Sequence, residues 1–128
     1  MNIALWILQV LLSAMFLMAG TAKAAQPIDV LAERMTWVTD VAPGLVRFIG
    51  LAEVLGAVGL ILPAMMRTLP WLTPLASGGL AVVMLLAAGF HGSRDENDMV
   101  GLPVVVALLA ATVGYGRWKL APIAPRRT

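Results

Sequence analysis

One carboxylate, Glu53, interrupts the stretch GLAEVLGAVGLILP, from Gly50 to Pro63, whose other members are all apolar residues, glycine or proline. Near the middle of a membrane span such a charge costs ~2.5–3.5 kcal/mol on insertion scales, so it faces the protein interior or a water-filled cavity. Three chemistries suit a carboxylate so placed. It can hold a ligand head group by hydrogen bonds, carry a proton, or fix helix register by pairing with a cation. Lys23 and Arg47 supply cations at the same end of the chain's apolar segments, and Arg47 lies roughly 9 Å along the same helix from Glu53 at 1.5 Å per residue. His91, the single histidine, offers a hydrogen-bond donor or proton carrier, or simply caps a helix C-terminus.

Other chemistries are poorly provided for. One histidine cannot ligate haem from both sides or complete an ordinary zinc site. Cysteine is absent, so the chain has no thiolate for redox exchange or metal binding. The methionines of the apolar segments read as space-fillers rather than copper ligands. No nucleophile–base pair or phosphate loop is present, and the sequence assigns neither a catalytic residue nor a metal ligand.

The elements that must position Glu53 are also legible. Gln9, Ser13, Phe16, Gly20 and Lys23 recur at spacings of four and three and form one stripe along a helix. In a membrane that stripe faces protein, where Gln9 and Ser13 hydrogen-bond across helices or extend the polar lining around Glu53. Gly50, Gly56 and Ala57, three or four residues from Glu53, make a small-residue surface for close helix packing. Lys23, at the stripe's end, reaches either the pocket or the membrane interface.

A mean hydropathy of +0.89, with 60% hydrophobic and 12% charged residues, exceeds what a small soluble domain can bury. The sequence therefore predicts an all-α integral membrane four-helix bundle, with the lipid bilayer as its first partner. The spans fall at about 2–22, 45–63, 71–90 and 99–115, each near the length needed to cross ~30 Å of hydrocarbon. Short connections after the second and third spans force antiparallel neighbours, giving up-down-up-down topology. Residues 1–118 form one domain, and 119–128 a frayed cytoplasmic tail. Residues 23–44 form a connection outside the membrane. Within it, LAERMTWVTDVAP places Leu31, Met35 and Val38 on one face of a helix lying on the membrane surface. TAKAAQ resembles a signal-peptide cleavage site, but the preceding apolar run is long and lacks a basic residue before it.

The basic residues flank apolar runs rather than forming a patch, which argues against a nucleic-acid partner. Five of them, Arg67, Arg117, Lys119, Arg126 and Arg127, fall on the side of the termini, against Lys23, Arg34, Arg47 and Arg94 opposite. The positive-inside rule then favours cytoplasmic termini.

MAGTAK in the first helix, RFIGLAEVLGAVGLILP in the second and FH at the end of the third resemble the DoxX-like family of small four-helix bacterial membrane proteins. The resemblance covers nearly the whole chain and is most specific at Arg47, Gly50, Glu53 and Gly56. HGSRDEN after the histidine matches only loosely. The resemblance carries Lys23, Arg47, Glu53 and His91 over as matching positions. It implies a bacterial inner-membrane protein linked to quinone-dependent oxidation of sulfur compounds or to complexes that handle oxidative stress.

The function expected is that of an auxiliary subunit, not an enzyme on its own, of a membrane redox complex. Its lipophilic ligand, such as a quinone, is held by Glu53, His91, Lys23, Arg47, Gln9 and Ser13, while Gly20, Gly50, Gly56 and Ala57 pack the helices. Two alternatives remain open: an assembly protein whose buried charges only fix register, and a proton-coupled carrier of small solutes, which four helices would support more readily in a homo-oligomer.

Overall fold

A computed structural model describes residues 1–127 and, among them, no strand. Four long helices carry the fold: α1 (Asn2–Ala25), α3 (Pro43–Met66), α4 (Leu72–Ser93) and α5 (Gly101–Tyr115). A short α2 (Ile28–Ala32) lies in the first connection. The long helices alternate in direction and pack as a ring, α1 against α3, α3 against α4, α4 against α5 and α5 back against α1.

All four are long and apolar enough to cross a membrane, the last over Asn97–Leu120, yet only 28–33% of each apolar window is buried within the protein. The remaining apolar surface is left uncovered by this chain and suits a hydrocarbon surrounding. What is buried forms inward stripes. Leu12, Phe16, Ala57, Leu60, Leu80, Val106, Ala110 and Val113 make the main core.

Three departures from the sequence expectations have physical causes. Pro63 does not end α3, which continues to Met66. Proline lacks the N–H that would bond the carbonyl of Gly59. The Thr73 hydroxyl on α4 takes its place, donating to Gly59 O at 3.0 Å. In lipid such a carbonyl needs a partner from a neighbouring helix.

The predicted surface helix around Leu31–Val38 is broken. Met35 adopts φ −128° and ψ 84°, separating α2 from a 3-10 turn at Thr36–Thr39. The break turns Leu31 and Val38 onto Val46 at the start of α3, all three at 0% exposure. The apolar stripe thus closes the end of the bundle.

The tail has no regular structure from residue 122 to 127, but it is tied down. Arg67 Nε donates to Ala124 O at 2.9 Å, and Arg126 N–H donates to Arg67 O at 2.7 Å. Arg67 itself sits in the left-handed region at φ 55° where α3 ends. Residue 128 of the predicted tail lies outside the described residues.

Candidate functional site

The site is built on a glycine-to-glycine crossing. A methyl group added at Gly20 would lie 2.8 Å from Gly50 O, and one added at Gly50 would lie 2.6 Å from Ala24 N. No other residue type permits so close an approach of α1 and α3. Lys23 and Glu53 each lie one turn C-terminal to the glycine of their helix, on opposite sides of this antiparallel crossing, and both side chains lean toward their helix N-termini and so meet across it. Lys23 Nζ donates to Glu53 Oε1 at 2.6 Å. Glu53 is 1% exposed. Its second oxygen, Oε2, is buried and has no hydrogen-bond partner among the described residues.

Beside this pair a cavity of about 510 Å³ opens between α3, α4 and the first connection. Lys23, Glu53 and His91 form its polar end, while side chains such as Phe48, Ile49, Met84 and Phe90 make the walls apolar. His91 is 9% exposed, and its Nδ1 is buried without a hydrogen bond. The closest acid to that nitrogen, Glu96 Oε1, is 3.6 Å away, too far for one.

An exposed ion cluster lies next to this end. Arg94 NH2 donates to Asp40 Oδ2 at 2.6 Å. Arg94 Nε approaches Glu96 Oε1 to 2.8 Å, an attraction of charges off the hydrogen-bond direction, since that oxygen has no well-aligned donor. Chiefly the Asp40 hydrogen bond, and then the neighbouring acidic charges, raise the Arg94 pKa above its ordinary value despite some desolvation. The guanidinium carbon lies 4.9 Å from the Phe90 ring centroid, and Trp37 meets the same ring edge-on at 6.1 Å. The first and third connections are thereby fastened together over the cavity's aromatic wall.

The remaining sequence-predicted residues lie elsewhere. Arg47 does not reach Glu53: its NH1 donates to Lys23 O at 2.8 Å and Gln26 O at 2.5 Å, satisfying carbonyls at the end of α1. It positions the lysine's backbone. Ser13 Oγ donates to Ala57 O at 2.9 Å and Gln9 Nε2 to Leu60 O at 2.6 Å, so both fasten α1 to α3 away from the cavity. Gly56 admits Leu80 of α4, whose Cδ2 would lie 2.5 Å from an added methyl. Ala57 is fully buried in the core.

Sequence reasoning missed several participants. Arg117, counted as a topology signal, is 3% exposed. Its Nε donates to Gln9 Oε1 and its NH1 to Asn2 Oδ1, each at 2.6 Å. The Gly116–Leu120 segment is wound as a π-helical turn, with Ala121 N–H donating to Gly116 O at 2.7 Å. A signal was available, because Val106, Ala110, Val113 and Arg117 continue one buried stripe at spacings of four, three and four. Thr73 and Ser77 likewise share the buried stripe of α4 that ends at His91. Trp37 of the first connection also lines the cavity. That placement depends on the break at Met35 and has no local signal.

Four antiparallel apolar helices, with a mainly apolar cavity that has a polar end at Lys23, Glu53 and His91, define a multi-pass membrane protein with a candidate intramembrane ligand site. The profile of the DoxX-like family matches residues 7–113, more than half of the chain and all the residues of the cavity's polar end. The chain belongs to the DoxX-like family. No curated protein and no solved structure matches it.

Proposed function

We propose that this protein is an auxiliary subunit of a redox- or oxidative-stress-linked complex in the bacterial inner membrane, holding a lipophilic molecule such as a quinone in the cavity beside Glu53. The observation that carries the reading is the cavity's division into an apolar body and a polar end formed by Lys23, Glu53 and His91, where Glu53 Oε2 is buried without a partner among the described residues. Ligand sites commonly combine apolar walls with a few convergent polar groups. Cytoplasmic termini fit the charge distribution. Of the basic side chains left exposed, Arg67, Lys119, Arg126 and Arg127 lie on the side of the termini, and only Arg34 and Arg94 lie opposite.

Titration of the purified protein in lipid nanodiscs with a short-chain quinone, followed by tryptophan fluorescence, tests the ligand. Saturable quenching is expected, lost in Trp37→Phe because Trp37 lines the cavity, with an affinity that Glu53→Gln changes. Linear quenching, or an affinity indifferent to Glu53→Gln, would count against it. The complex is tested by gentle-detergent co-purification, which is expected to recover a stoichiometric oxidoreductase partner.

A second reading, a pure assembly role, is favoured by the Lys23–Glu53 pair at the glycine crossing. Buried polar or ionic groups fix helix register in some helical assemblies. Under that reading Glu53→Gln lowers recovery of the complex, while activity per assembled complex stays unchanged.

A further inference from the structure

Glu53 is held by one donor only. Lys23 occupies Oε1, Arg47 is turned to the backbone of Lys23 and Gln26, and Oε2 has no donor among the described residues. An ion-paired carboxylate accepts hydrogen bonds and donates none. Glu53 lines the cavity's polar end, so a ligand seated there lies beside a carboxylate with one unsatisfied acceptor. A head group that carries only acceptors, such as a carbonyl or an ether, can take a spare N–H of Lys23 but leaves Oε2 unpaired. A hydroxyl satisfies it.

The walls narrow the choice further. Trp37, Phe48 and Phe90 line the cavity and suit a flat ring. Phe48 and Leu86 line it and are also exposed on the bundle's outer surface, at 68% and 70%. The mouth thus opens sideways between α3 and α4, toward lipid. On the loop side, the Arg94–Asp40 pair joins the connections above Phe90.

We infer that the site selects neutral, ring-bearing amphiphiles whose head donates a hydrogen bond to Glu53, a phenol or hydroquinone in preference to the corresponding ether or quinone, and admits them from the bilayer. The inference rests on the proposed ligand role of the cavity and adds the hydrogen-bonding sense of the head group.

The test is calorimetric titration of the protein in nanodiscs with para-heptylphenol and with its methyl ether, each corrected with empty nanodiscs for partitioning into lipid. The two probes share ring and chain and differ in one donor. A hydrogen bond to a charged acceptor corresponds to roughly tenfold to hundredfold in affinity, and the phenol is expected to bind tighter by that factor. In Glu53→Gln the carboxamide can offer its own N–H to the ether oxygen, so the advantage is expected to shrink to about threefold or less on the same scale. The comparison on the unaltered protein decides the matter even if the variant fails to fold. Equal binding of phenol and ether overturns the donor selectivity and leaves the cavity's ligand role standing. Binding of neither overturns both.

Discussion

Replacing Lys23 by methionine tests the central ion pair directly. The substitution keeps an unbranched, flexible side chain of similar length and removes the ammonium that lies 2.6 Å from Glu53 Oε1. Oε2 already lacks a partner, so both oxygens of a side chain that is 1% exposed become unpaired. Arg47 cannot take over without releasing two backbone carbonyls. Removing one member of a buried ion pair ordinarily costs about 3–5 kcal/mol, because the remaining charge is left uncompensated. Replacing both members costs much less. Lys23→Met should therefore destabilise the bundle by about 3–5 kcal/mol, and Lys23→Met with Glu53→Leu should recover most of that loss. The measurement is reversible unfolding in mixed micelles, followed by circular dichroism for the wild type, both single variants and the double variant. A Lys23→Met protein within about 1 kcal/mol of wild type, below the range for breaking a buried pair, would refute the claim that the lysine compensates Glu53. So would a double variant no more stable than Lys23→Met.

Two further outcomes follow from the same geometry. Gly50→Ala places a methyl 2.6–2.7 Å from the backbone atoms Ala24 N and Gly20 O, whereas Gly78→Ala meets nothing within 4 Å. The first should cost about 1–3 kcal/mol by overpacking and the second should be neutral or mildly stabilising, as read by thermal unfolding of the two proteins side by side. If the site binds a hydroquinone more tightly than its quinone, the bound couple is easier to reduce than the free one. Its midpoint potential, measured by redox titration in nanodiscs, should rise by about 30 mV for each tenfold preference, and fall back toward the free value in Glu53→Gln.

The membrane class, the four spans and the burial of Glu53 were legible because each depends on local chemistry. A run of apolar residues must find hydrocarbon or a core wherever it lies, and one carboxylate inside it must turn away from lipid. The stripe from Gln9 to Lys23 was legible for a similar reason, since helical periodicity alone places those residues on one face. Periodicity does not give depth along the bundle. It could not separate Gln9 and Ser13, which bond to carbonyls of α3, from Lys23, which reaches the cavity. It also could not say that Arg47 would satisfy the end of α1 rather than Glu53.

What the sequence by itself determined is that a charge would be buried among antiparallel helices, with Lys23, Arg47 and His91 at about the same level. Which cation it would meet was decided by tertiary structure, because that depends on how closely two backbones approach and in what register. The Gly20–Gly50 contact sets both, bringing Lys23 to Oε1. The cavity is likewise a product of packing alone: it is the space left where the chain breaks at Met35 and Trp37 meets Phe90. No local pattern specifies an empty volume, since its walls come from segments far apart in the chain.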